Sequence, residues 1–219
     1  MRTIIGMTLG LSLVAICVVG GVAIVGGQGN TAHAHIGHVM DMWRDTPDQQ
    51  GLLPTAIAEA EIAAQHAGLA ARSAGNLDAM KAHAGHVLHA VDPTIEMQGP
   101  GLGYGVKKAA AAAAQHIEFA AGSDGASANV KTHATHVSTS ANNTVSRVDE
   151  IVALAQQIQG ASSAAAAAPL TERLSMLAGQ LVSGADANGD GRIGWQEGEG
   201  GLEQANQHMG FMKKGEDLP

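Results

Sequence analysis

Residues 60–87, AEIAAQHAGLAARSAGNLDAMKAHAGHV, align without a gap on residues 110–137, AAAAAQHIEFAAGSDGASANVKTHATHV, and 14 of the 28 positions agree. Alanine matches carry little weight in a chain this rich in alanine. Gln65/Gln115, His66/His116, Lys81/Lys131, His83/His133, His86/His136 and Val87/Val137 do not follow from composition. The unit is therefore duplicated, and its histidines are its fixed points. A partial third copy of its end, HIGHV, stands at His35 to Val39.

Each copy predicts an all-α hairpin. Residues 55–73 are alanine-rich and free of proline, SAGN interrupts the pattern, and helix resumes over 77–91 until Asp92 and Pro93 end it. The second copy repeats this around GSDGAS, and its second helix extends to about Gln159. Residues equidistant from a hairpin turn lie level with each other. His66 is thus expected beside the pair His83 and His86, and His116 beside His133 and His136. The i,i+3 spacing places both members of a pair on one face. With the hairpins in an up-down-up-down bundle spanning 31–159, all six imidazoles would share one layer, and a helix over 31–45 would add His35 and His38 as a further wall. His33, His89 and His208 read as solvated polar residues.

Imidazole-only ligation suits zinc or copper, held by the histidines. A b-type haem ligated by two of them is the alternative, since no CxxCH is present for covalent attachment. Carboxylate-rich di-iron chemistry fits poorly, because no histidine follows a glutamate by three residues, and only Glu59 lies near the face of His66. Met80 and Met42 stand at helical spacing from His83 and His38 as possible thioether ligands of copper. No serine sits in a nucleophile motif, which favours a holding or electron-carrying role over catalysis. A dinuclear enzyme requires the shared layer. A structural module stabilised by calcium alone is the remaining class.

The other parts of the chain bound where this chemistry takes place. Residues 1–27 contain an apolar run from Ile4 to Val25 that reads as a membrane anchor or signal segment, with the bulk of the chain outside the cytoplasm. The length of the run favours retention over cleavage after Ala34. Cleavage there would make a secreted protein whose new N-terminus, His35, offers an amine and a ring nitrogen for copper. The only cysteine, Cys17, lies inside this run, so disulfides and thiolate ligands are excluded beyond it. The net charge of −8, with no basic cluster, speaks against nucleic acid as a partner.

After a Ser, Ala and Pro-containing stretch at 160–169, expected as a linker, residues 170–219 carry DANGDGRIGWQE, Asp186 to Glu197. This run resembles the EF-hand calcium-binding loop. The resemblance implies oxygen ligands from Asp186, Asn188, Asp190, the backbone carbonyl of Arg192 and a bidentate Glu197, with Gly191 at the sharp turn. The glycine-rich segment that follows departs from the family's exiting helix. A single hand of this kind reads as a structural clip rather than a sensor.

Overall fold

The computed structural model describes residues 30–219, and the expected membrane or signal segment at 1–27 lies outside them. Among the described residues the fold is all-α, with helices α1 (Thr31–Met40), α2 (Leu52–Arg72), α3 (Leu77–Val91), α4 (Val106–Gly122), α5 (Ala128–Gly160), α6 (Ala164–Ser183) and α7 (Leu202–Gly215). No described helix is long and apolar enough to cross a membrane.

Helix starts are set by side chains that accept the otherwise unpaired N–H groups of a first turn. Asn30 caps α1, Asn76 caps α3, Ser127 caps α5 and Ser163 caps α6. Both copies of the repeat turn at a glycine in the left-handed region, Gly75 with φ 81° and Gly125 with φ 79°. Only glycine adopts that conformation without a steric penalty, so the duplication extends to backbone geometry.

The core is built largely from alanine. Ala56, Ala60, Ala63 and Ala67 on α2 and Ala109, Ala110, Ala113 and Ala120 on α4 are fully buried. Alanine loses no side-chain entropy on folding, and its small volume lets helix axes approach closely. Larger side chains fill the gaps: Met80, Ile117, Ile151, Leu174, Leu181 and Met209 are among the largest fully buried. The 33-residue α5 is the central strut, about 50 Å long, and packs against α3, α4, α6 and α7. One continuous hydrophobic cluster runs from Ala32 to Met212.

That continuity corrects two expectations. The alanines of 164–168, read from the sequence as part of a linker, form the opening turns of α6, which packs on both α2 and α5. The connection after α5 is only Ala161 to Ser163. The first helix is also shorter than expected, ending at Met40, after which Met42 and Gln50 form an isolated antiparallel bridge.

Two buried charged residues hold the long loops. Glu59, fully buried on α2, accepts hydrogen bonds from the backbone N–H groups of Leu102, Tyr104 and Gly105 at 3.1, 2.8 and 2.9 Å. It clamps the connection between α3 and α4. Gly101 is required at this clamp, since a Cβ there would lie 2.6 Å from the Glu59 carboxylate. His89 also ties down this loop: it is buried, not solvated, and its Nδ1 lies 2.9 Å from the Glu96 carbonyl. On α5, Arg147 donates to the carbonyls of Gly198, Glu199 and Gly200, and Asn143 bonds both Gln196 and Gly198. These contacts hold the segment between α6 and α7 against the bundle.

A buried carboxylate serving three N–H donors leaves all three unsatisfied when it is removed. Glu59→Ala is expected to destabilise the chain by about 3 kcal/mol, measured as a lowered midpoint of urea unfolding at unchanged slope. Glu59→Gln, which retains one acceptor oxygen, should lose less.

Candidate metal centres

Three histidine triads, and no other such cluster of His, Cys, Asp or Glu, bring their ligating atoms within 4.8 Å of one another among the described residues. The first joins His35 and His38 of α1 to His116 of α4. The second joins His83 and His86 of α3 to His66 of α2. The third joins His133 and His136 of α5 to His208 of α7. The second triad is the trio expected from the first hairpin. The other expected trio, His116 with His133 and His136, does not form, and the single layer of six imidazoles is replaced by three separate clusters.

The reason lies in what hairpin symmetry determines. Equal distance from a turn sets the height of two residues, whereas the rotation of each helix decides whether their faces meet. In the first hairpin, the His66 face of α2 turns toward α3. In the second, the equivalent face of α4 is occupied by α1, and the HxxH face of α5 is occupied by α7. His208, read from the sequence as solvated, supplies the third triad. A signal for it is present: QHAGL at 65–69, QHIEF at 115–119 and QHMGF at 207–211 are three copies of one motif. The other half-motif also occurs three times, as HIGHV, HAGHV and HATHV. Each triad takes one copy of each.

The three triads repeat one geometry. From the lone histidine, the Nδ1–Nδ1 separations are 3.0 and 3.4 Å to His35 and His38, 3.1 and 3.2 Å to His83 and His86, and 3.0 and 3.3 Å to His133 and His136. Ring centroids within each HxxH pair are 5.6, 5.7 and 5.8 Å apart. Four nitrogens around a tetrahedral zinc at its usual bond length stand about 3.3 to 3.4 Å from each other. The observed separations are close to that spacing. All three donors in each triad present the same nitrogen, which leaves Nε2 to carry the ring proton in the neutral tautomer.

Burial and mutual repulsion favour the neutral form of seven of these nine rings. Desolvation first, then the neighbouring imidazoles, hold His35, His66 and His116 below the ordinary histidine range. His83 is lowered by desolvation, His86 and then the Arg72 guanidinium. Desolvation also lowers His133 and His136, and His208 is pushed down to about 4 by burial and the charges of His136 and His133. Their lone pairs are therefore available to a cation at neutral pH without prior loss of a proton.

Aromatic residues are distributed unequally. Trp43 lies 4.9 Å from the His38 ring and 4.6 Å from that of His116, and Phe119 lies 5.4 Å from His35. In the third triad Trp195 stacks on His136 at 4.0 Å, and Phe211 lies 5.7 Å from both His133 and His208. Leu69 takes the corresponding place in the QHAGL copy of the second triad. Of the two methionines read as possible thioether ligands, Met80 is fully buried in the core and Met42 is exposed at the Gln50 bridge. His33 pairs with Glu216 at 3.0 Å. Cleavage after Ala34 would remove that contact, the Asn30 cap and the buried Ala32.

In the EF-hand-like segment, Asp186 accepts from the N–H groups of Gly189, Asp190 and Gly191 at 2.8, 3.1 and 2.9 Å. Asn188 accepts from Asp190 at 2.8 Å, and Asp190 accepts from Arg192 at 2.9 Å. Glu197 is exposed, while Glu199 is buried and receives the Gly194 N–H at 2.9 Å. The next helix begins only at Leu202. Trp195, which touches the third triad, belongs to this same loop. No protein family, curated protein or solved structure matches the chain.

The lowered histidines make stability depend on pH with a definite sign. Above about 6.5 neither the folded nor the unfolded chain protonates them, and their contribution is constant. As pH falls below that value, the unfolded chain binds protons that the folded chain refuses, and stability is lost until the depressed folded values are reached. The melting temperature of the metal-free chain is expected to fall steadily between pH 6.5 and pH 4.5. His208→Asn should flatten that decline.

Proposed function

We propose that this protein binds up to three transition-metal ions, one per triad, and that its role is to hold and pass on zinc or copper. The observation that carries the reading is the convergence, in three independent places, of two imidazole Nδ1 atoms to within 3.0–3.4 Å of a third. Neutral nitrogen donors without carboxylate or thiolate suit a borderline cation such as zinc or copper over calcium or magnesium. The close approach favours a small ion over haem. Bis-histidine ligation of haem places its two nitrogens on opposite sides of the macrocycle, which does not fit three nitrogens converging from one side.

Repetition of the site supports a holding role. A catalytic centre needs one metal with a positioned acid or base, whereas this chain builds the same donor set three times from six helices. Calcium at Asp186–Glu197 is part of the proposal as a structural clip: the hydrogen bonds among Asp186, Asn188 and Asp190 support it, as does the loop's attachment to Asn143 and Arg147. Residues 4–25 would hold the chain at a membrane, with the triads outside the cytoplasm. The length of that apolar run supports this location.

The test is metal stoichiometry by elemental analysis after dialysis against buffered zinc or copper. Three equivalents are expected for the purified chain, and His66→Ala, His116→Ala and His208→Ala should each lose one. Retention of all three equivalents in these variants would refute the triads as ligands. Separately, Glu197→Gln is expected to weaken calcium binding at least tenfold by isothermal titration while leaving the transition-metal count unchanged.

A further inference from the structure

The chain has only two tryptophans, two phenylalanines and one tyrosine. Both tryptophans and both phenylalanines lie against triads, and all four are at the first and third. The need for a core does not explain the placement, since Phe119 is 49% exposed and Phe211 47% exposed. Trp43 and Phe119 between them touch all three rings of the first triad. Trp195 and Phe211 do the same for the third. These pairs come from different places in the chain: Trp43 follows α1, whereas Trp195 comes from the loop before α7. The same wall has thus been assembled twice by different routes.

The second triad has different surroundings. Leu69 stands in the phenylalanine position, and no tryptophan is in contact with its rings. The Arg72 guanidinium lies above Gly68, on the helix that carries His66. His86 also lines an open cleft of about 470 Å³ together with Lys81, Gly85, Glu96, Gln98 and Gln159. Cationic groups beside a metal raise the energy of a bare cation and lower that of an anion bound to it.

We infer that the chain carries two classes of metal site: the aromatic-walled first and third triads select copper(I) in a three-coordinate shell, and the open second triad takes zinc with an exchangeable water or anion as fourth ligand. This rests on the metal-binding reading above. Copper(I) carries a single charge and is softer than zinc, and accepts three nitrogen donors without a fourth. Zinc is almost always four-coordinate and loses affinity where a fourth ligand cannot enter. A tryptophan and a phenylalanine against the rings narrow the access of water to the remaining position and offer π-electron density to a soft cation. The second triad lacks those walls, and the cleft at His86 gives its fourth ligand a route in.

The test is anaerobic titration of the purified full chain with copper(I) and, separately, with zinc(II), followed by tryptophan emission and by X-ray absorption at each metal's edge. Copper(I) is expected to quench emission through its first two equivalents and to show three nitrogen neighbours and no oxygen. The first equivalent of zinc should leave emission unchanged, show an oxygen beside three nitrogens, and disappear in His83→Ala. The double variant Trp43→Leu/Trp195→Leu should lose about tenfold of the copper-over-zinc preference at the two walled sites, measured by competition in buffered metal mixtures. Phe119→Leu/Phe211→Leu, which keeps the tryptophans as reporters, should change in the same direction. Four-coordinate zinc at all three triads with equal affinity, or an unchanged preference in both double variants, would overturn the two-class inference while leaving the three-metal stoichiometry intact. Failure to bind either metal would instead overturn the metal-binding reading itself.

Discussion

Imidazole nitrogens gathered so that two stand 3.0–3.4 Å from a third repel it unless a proton or a cation lies between them. Every triad of this fold contains that arrangement, and every triad joins two helices: α1 to α4, α3 to α2, and α5 to α7. Six of the seven helices among the described residues are thus paired through a cluster whose energy depends on what occupies its centre. A bound cation would turn each repulsion into a cross-link. The stabilities of the bundle and of its metal-loaded form are therefore linked by mass action.

The scaffold tolerates this arrangement because the rest of its packing does not depend on the histidines. Buried alanines on α2 and α4 bring helices close at little entropic cost, and the larger Ile, Leu and Met side chains fill the space around them. Loops that would otherwise leave donors and acceptors unsatisfied are held by Glu59, His89, Asn143 and Arg147. The Arg147 and Asn143 contacts also hold the loop that carries Trp195, and so set the position of an aromatic wall of the third triad. Structural clamp and metal environment meet at that point.

Much of the site was legible in the chain. The 50-residue offset between copies, the HxxHV ends and the paired Gln-His dipeptides locate eight of the nine triad histidines, and distance from the turn places the first hairpin's trio at one height. His208 was hidden because its motif stands outside the 28-residue duplication, beyond a glycine-rich stretch that reads as part of a calcium loop. His89 was misread, and the clamping role of Glu59 went unseen, for a related reason. Both are polar residues whose partners lie on the connection between α3 and α4, and nothing periodic in that connection announces where its backbone donors and acceptors will point.

By itself, the sequence determined the helices, their turns and the chemistry of the ligands. These depend on local causes: alanine's helix propensity, capping by Asn and Ser, glycine at positive φ, and the i,i+3 spacing that puts two imidazoles on one face. Only the tertiary structure decided which lone histidine meets which pair. That choice depends on how each helix is rotated about its axis when its alanine face packs, and rotation is set by all the neighbours of a helix at once. His116 therefore meets α1 and not α5, although it stands level with His133 across its own turn.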